Sequence, residues 1–263
     1  MFVESFRMNP LHRAIIEKAG HNHGFEHLIQ CPVDEVRMAS SLHPVQVEVQ
    51  IVQDRFRATF NGTNHLVTEL QRQFPDWFQP TSSFQVKGEA ELATLLNRAS
   101  ALARALPNQP VADFESEVSK ALTDLATTPS HTEVERMVRQ RVGQEKFRNA
   151  LLTYWGGACA VTGVSLPEVL RASHIKPWSE CESDMERLDV FNGFLLTANL
   201  DALFDKFLIT FDRDGALQPS PNLSAQTLTS LGITPDLRLR WCSMEHQVYL
   251  EQHRKRTLQL ESN

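Results

Sequence analysis

Paired cysteines are missing from this sequence. Its four cysteines, Cys31, Cys159, Cys181 and Cys242, stand far apart, and no two have CxxC spacing. That spacing gives no support to a four-cysteine zinc site, and a disulfide framework is not expected in a chain of 263 residues. The cysteines read as buried or idle thiols. Long apolar runs are missing too: none approaches the roughly 18 residues that a membrane helix needs. The stretch from Met1 to Arg7 lacks the basic patch and apolar core of a secretory leader, so the expected location is cytoplasmic. Positive charge is also short, with 26 Lys and Arg against 32 Asp and Glu, a net charge of −6. Nucleic-acid binders are more often basic, but phosphate contacts depend on local patches, so this balance weighs against that class without excluding it. No internal repeat or low-complexity tract stands out. What remains is an ordinary globular composition, long enough for two modest domains.

The chain begins with a short amphipathic piece, Leu11 to Ala19, closed by Gly20 and followed by the turn His21-Asn-His-Gly24. His21, His23 and His27 have no acidic or Cys partner at ligand spacing and read as a polar loop. Val45-Gln-Val-Glu-Val-Gln-Ile51 alternates strictly, and so does Arg55-Phe-Arg-Ala-Thr-Phe60. Both read as half-buried strands, joined through Gln53-Asp54 as a hairpin, with Asn61-Gly62 as a turn signal. Leu66 to Phe78 has helical spacing interrupted at Pro75. Glu89 to Leu106 is a clear helix with Leu92, Leu95, Leu96, Ala99, Leu102 and Ala103 on one stripe.

Pro107-Asn-Gln-Pro110 marks a domain boundary. A helix follows from Asp113 to Ala126. A second break, Thr127-Thr-Pro-Ser130, precedes a helix from Glu133 to Trp155, with Ser130 or Thr132 as its N-cap. That helix carries Arg136, Arg139, Arg141, Lys146 and Arg148, which read equally as phosphate contacts or as a solvated face. After the central stretch, Leu208-Ile-Thr-Phe211 reads as a strand and Asp212 to Gly215 as a turn. Leu237-Arg-Leu-Arg-Trp241 alternates, and Met244 to Leu258 reads as a helix carrying His253-Arg-Lys-Arg256. The fold class is α+β: an N-terminal mixed α/β domain over residues 1–106, a helical linker over 107–141 and a C-terminal domain over 142–263.

The chemistry concentrates between Gly156 and Gly215. His174 offers a base whose intrinsic pKa lies near neutrality. Asp201 and Asp205 stand four apart in an expected helix and so point from one face. Their hard oxygens suit Mg²⁺ or Mn²⁺. Asn192, before Gly193, can orient a His ring or fix a loop. Arg171 and Lys176 flank His174. A base, a cation site and a group to hold the base are what phosphodiester hydrolysis requires. Each residue alone has a structural reading: a packed His, a turn Asn-Gly, two solvated Asp.

Taken in order, Gln144-Glu-Lys-Phe-Arg148, Cys159-Ala-Val-Thr-Gly163, Leu170-Arg-Ala-Ser-His-Ile-Lys-Pro-Trp178, Arg187-Leu-Asp189, Asn192-Gly-Phe-Leu-Leu196 and Leu200-Asp-Ala-Leu-Phe-Asp205 resemble the HNH endonucleases. The nearest subgroup is the one found as the C-terminal nuclease of bacterial restriction proteins. The resemblance covers about Val142 to Gly215. It implies a ββα-metal fold in which Cys159 to His174 forms the hairpin, His174 is the general base, Asn192 takes the middle position and Asp201 binds the metal from the helix, with Asp205 as a second candidate. Ser173 occupies the position where many relatives carry a metal ligand and is a poor one, so water, Asp205 or His253 would complete the shell. His253 itself reads as structural more than catalytic. Many relatives also carry two CxxC zinc pairs. Only Cys159 stands near such a position, so no structural zinc is expected. Trp155, Trp178, Phe191, Phe194 and Phe204 would supply the core instead.

The resulting expectation is a restriction endonuclease acting on double-stranded DNA with one Mg²⁺ or Mn²⁺ per site, as a homodimer and away from membranes. Arg171, Lys176, Arg139, Lys146, Arg148 and Arg254 are its candidate DNA contacts. Residues 1–106 would read the DNA, by analogy with relatives through methylcytosine, with Phe56, Phe60, Trp77, Phe78 and Phe84 available to cage a flipped base. The alternatives are a catalytically weak DNA-binding regulator, and an N-terminal region that binds a protein or a small signal.

Overall fold

A computed structural model describes residues 8–62, 64–107, 109–124, 131–234 and 236–259. The chain divides after Leu106 into two compact units. Among the described residues no helix is long and apolar enough to cross a membrane.

The first unit starts with α1 (Pro10–Asn22). Asn9 caps it by accepting from the His12 N–H at 2.7 Å, and Pro10 stands in the first turn, where its missing N–H costs nothing. Then come β1 (His27–Ile29), β2 (Glu35–Ala39), β3 (Gln46–Val52), β4 (Arg55–Asn61), α2 (Asn64–Gln73), β5 (Phe78–Gln79), β6 (Ser83–Val86) and α3 (Glu89–Ala105). The strands make one antiparallel sheet in the order β1-β2-β3-β4-β6-β5. Strands β3 and β4 form the expected hairpin, with Val52 opposite Arg55. Gln53 and Asp54 both adopt left-handed backbone, φ 52° and 59°, as a two-residue turn that follows the twist of the strands requires.

One face of this sheet carries Val36, Met38, Val47, Val49, Phe56, Ala58, Phe60, Phe84 and Val86, all buried. Helix α3 contributes the predicted stripe to the same core: Leu92, Leu95, Leu96, Ala99 and Leu102 are fully buried. The other face holds Arg37, Glu48 and Gln50 in a polar cross-strand network. Helix α1 does not stop at Gly20. Gly20 lets the helix lie against Met38, with no room for a side chain, and the turn comes at Gly24, whose φ is 86°. Among the described residues, His21, His23 and His27 belong to no metal-holding group.

The second unit contains α4 (Gln109–Asp124), α5 (His131–Tyr154), β7 (Leu170–His174), α6 (Asp184–Leu188), β8 (Gly193–Thr197), α7 (Ala198–Asp205), β9 (Ile209–Phe211), β10 (Leu217–Pro219), α8 (Ala225–Ser230) and α9 (Met244–Leu258). Helix α4 belongs to this compact unit, and α5 runs unbroken through position 141. Ser130 lies outside the described residues. Strand β7 pairs antiparallel with β8, and α7 packs on both. The hairpin therefore forms between residues 170–174 and 193–197, and not within Cys159 to His174 as the resemblance implied. Cys159 to Gly163 is instead a tight turn: the Cys159 sulfur accepts from the Val161 and Thr162 N–H groups at 3.4 Å each, and Gly163 has φ 71°.

Trp155, Phe191, Phe194, Phe204 and Phe211 form an aromatic core beneath the hairpin, while Trp178 is half-buried. The alternating stretch Leu237–Trp241 contributes one bridge, Ala216 to Arg238. Arg240 turns back to cap the end of α5, donating to the Trp155 and Ala158 carbonyls at 2.8 and 2.9 Å.

His253 on α9 lies in this core. It bonds the Thr210 hydroxyl through Nδ1 at 3.0 Å and the Phe204 carbonyl through Nε2 at 3.1 Å, and stacks on the Phe204 ring. Burial pushes its pKa down from 6.5 to about 4. The unfolded chain then binds this proton more readily than the folded one, so stability is full above pH 6.5 and declines as the pH falls toward about 4. Melting temperatures across that window should drop steadily on the acid side; a flat profile would contradict a buried neutral His253.

Candidate active site

His174 ends strand β7. Its Nε2 lies 2.9 Å from the Arg187 carbonyl oxygen. A carbonyl can only accept, so the proton belongs on Nε2 and the lone pair on Nδ1. The ring stacks on Phe147 of α5 with centroids 3.7 Å apart and planes 15° from parallel. Trp178 meets it edge-on at 5.6 Å. Burial pushes the imidazole pKa down from 6.5 to about 4, against the Arg187 carbonyl and the Asp205 charge, which both pull it up. At neutral pH the ring is uncharged and able to take a proton.

The Arg187 carbonyl is where it is because of Asn192. That side chain is fully buried. Its Oδ1 accepts from the Lys176 N–H at 2.8 Å, and its Nδ2 donates to the Glu186 carbonyl at 2.9 Å. One carboxamide thus ties the chain after His174 to the peptide beside Arg187. The Asn192 carbonyl closes the same crossing by accepting from the Ile175 N–H at 3.0 Å. The Arg187 guanidinium braces it further, donating to Asp184 at 2.9 Å and to the Cys181 carbonyl at 2.6 Å. Asn192 makes no hydrogen bond to the His174 ring. It acts through the loop, and the Asn192-Gly193 pair is not a turn: Gly193 starts β8 in extended backbone, φ −171°.

Helix α7 brings Asp201 and Asp205 to the same region. Asp201 is half-buried, and its pKa is raised by burial and by the neighbouring Asp205 charge, with Ser173 and Arg171 acting to lower it. Asp205 is exposed and acts on both Asp201 and His174. Ser173 turns its hydroxyl toward this cluster. The Oγ is buried and makes no hydrogen bond of regular geometry, although its influence on Asp201 shows that the two groups are neighbours. His174, Ser173, Asp201, Asp205 and Arg171 are therefore brought together.

This donor set fits a hard cation. A desolvated carboxylate with a second carboxylate beside it offers the hard oxygen ligands that Mg²⁺ and Mn²⁺ prefer, and the neutral Ser173 hydroxyl adds a weaker one. Among the described residues no three His, Cys, Asp or Glu side chains form a metal-holding group. Water and phosphate oxygens would have to complete a shell, which suits Mg²⁺ in particular. His253 cannot contribute, because both of its nitrogens are bonded within the core.

All six candidate DNA contacts have partners within the protein. Arg139 pairs with Glu115, Glu135 and Asp184, and Lys146 pairs with Glu117. Lys176 pairs with Glu186 at 2.9 Å, which raises its pKa. Arg148 donates to the Leu170 and Pro167 carbonyls and holds β7 against α5. Arg254, half-buried, bonds the Phe211 carbonyl and Gln247. Arg171 is exposed beside Asp201, its guanidinium bonded to the Glu168 and Leu170 carbonyls.

Residues 159–212 match a family model described as HNH endonuclease. No curated protein matches the chain. The matched segment contains β7, the crossing, β8, α7 and β9. It supports the HNH family for the C-terminal region and, with it, nuclease activity on DNA.

Replacing Asn192 by Ala would leave the Lys176 N–H and the Glu186 carbonyl without their partner, at a cost of about 2–5 kcal/mol together. Urea unfolding should show this loss, and amide exchange in residues 175–188 should accelerate. Unchanged exchange there would refute the clasp.

Proposed function

We propose that this chain is a metal-dependent DNA endonuclease of a restriction system, hydrolysing phosphodiester bonds with His174 as general base. One observation carries the reading: the Nε2–H of His174 is held by the Arg187 carbonyl, which leaves an unprotonated Nδ1 within the field of an acidic helix. A water at Nδ1 gives up its proton to the ring as it attacks phosphorus. The imidazolium so formed keeps its Nε2–H on the carbonyl and is stabilised by the Asp205 charge. Arg171, exposed next to Asp201, would steer the scissile phosphate. Asp201, with Asp205 and the Ser173 hydroxyl, would hold Mg²⁺ or Mn²⁺, which when bound supplies positive charge toward the leaving 3′ oxygen.

A site this small touches few bases, so selectivity must come from elsewhere, and residues 1–106 are the proposed reader. Methylcytosine dependence rests on the family resemblance. The aromatics available to cage a flipped base pack within the protein: Phe56, Phe60 and Phe84 are core, Phe78 packs edge-on against Phe84, and Trp77 stacks on Phe74 at 4.5 Å. Cutting both strands with one site per chain calls for two copies, hence a homodimer on DNA. The proposed setting is cytoplasmic.

Ser173 at a ligand position favours a second reading, a DNA-binding protein with a weak or silent nuclease site. Incubation of supercoiled plasmid, with and without 5-methylcytosine, separates the two. With Mg²⁺ or Mn²⁺ the wild-type protein should nick or linearise it, chelator should stop this, and His174→Ala should lower the rate by about 10²–10⁴. Binding without cleavage on either DNA would favour the second reading, and equal cutting by His174→Ala would remove His174 from the mechanism. Because the ring titrates at about 4, cleavage should hold level below pH 6.5 and fall only as the pH nears about 4. An acid limb centred at 6.5 would show that the base is not this buried ring.

A further inference from the structure

We propose that Phe147 is a positioning residue that fixes the ring plane of His174, with Gly193 as the residue that makes room for it. The proposal rests on the reading of His174 as base. The hydrogen bond from Nε2 to the Arg187 carbonyl does not define the ring by itself. Rotation about the Cβ–Cγ bond shifts Nε2 less than it shifts Nδ1, which lies farther from that axis. The torsion of a histidine ring is intrinsically broad. A ring anchored only at Nε2 could therefore swing the atom that must meet the water.

Phe147 supplies the missing constraint. Its ring lies flat against the imidazole, centroids 3.7 Å apart and planes at 15°. This is closer than the usual 4.5–7 Å of aromatic pairs. Trp178 closes on the imidazole edge-on, and is itself seated against the bare backbone of Gly143, where a Cβ would strike its ring. The strand opposite is built for the same purpose. Gly193 is the register partner of His174, and a Cβ there would collide with the Phe147 ring and stand 2.8 Å from the Ser173 carbonyl oxygen. Its backbone is extended, so glycine is needed here for space and not for conformation. Phe147 is itself 1% exposed and belongs to α5, outside the matched segment 159–212.

The test compares Phe147→Leu and Phe147→Met, which keep apolar bulk but lose the flat face, with Leu151→Val. Leu151 is fully buried one turn further along α5 and serves as a control for general loosening of the helix. Plasmid cleavage is measured in steady state well below each melting temperature, with His174→Ala alongside. The expected result is a kcat lower by about ten- to a hundredfold in both Phe147 variants, KM within about twofold, and wild-type kcat in Leu151→Val. Wild-type kcat in either folded Phe147 variant overturns the proposal and leaves the base assignment standing. So does an equal kcat loss in Leu151→Val, or a change confined to KM. Full activity in His174→Ala, or a wild-type protein that cuts none of the DNAs, overturns the base assignment and the proposal with it.

Discussion

Residues 175–192 cross between two paired strands without a ladder of their own, and the carboxamide of Asn192 keeps that crossing folded. Buried main-chain polar groups must find partners, and beyond the short helix α6 and a few tight turns this segment has no regular structure to supply them. Asn192 offers one acceptor and two donors from a single fully buried position, and it joins the two ends of the crossing. Everything local to His174 follows. The Glu186 peptide is pinned, so the Arg187 carbonyl is pinned, so one tautomer of the imidazole is selected. A chemical property of one ring thus depends on an amide that makes no hydrogen bond to it.

The electrostatics are equally local. The chain as a whole is acidic, and most of the cations that looked like phosphate contacts are answered by carboxylates or carbonyls of the protein. Lys176 illustrates the rule. Its backbone N–H is held by Asn192 and its ammonium by Glu186, so it serves the crossing at both ends. Arg171 differs in being exposed and within the influence of Asp201.

Much of this was legible in the sequence, and the limits have physical causes. The β3–β4 hairpin and α3 could be read because alternation and helical spacing report burial directly. Strands β1, β5 and β6 are too short for their period to show, and they exist through pairing with distant segments. Residue type and spacing single out His174, Asp201 and Asp205, which β7 and α7 carry into one region. The hairpin was misassigned because β7 pairs across the crossing and not with the turn before it. Charge is visible in a sequence but partnership is not, which is why Arg139 and Lys146 read as free cations. Phe147 stands inside the Gln144–Arg148 block that carries the resemblance, but nothing in its type or spacing announces its contact with His174, since with Leu151 and Tyr154 it forms an ordinary buried helical stripe.

Helix α7 ends at Asp205, where Phe207 takes a left-handed backbone, φ 54°, and the Leu208 N–H reaches back to the Leu203 carbonyl. Phe207 is held there by packing on His253, although glycine would fit that backbone more easily. The stop leaves the Asp205 carboxylate at the negative pole of a short helix, facing a second carboxylate nearer the positive pole. The Asp205 charge is the unfavourable one, since it meets both the negative pole and the Asp201 charge, whereas Asp201 in the first turn suits the dipole. What weakens the end of this helix is therefore the same charge that a counterion beside it would relieve.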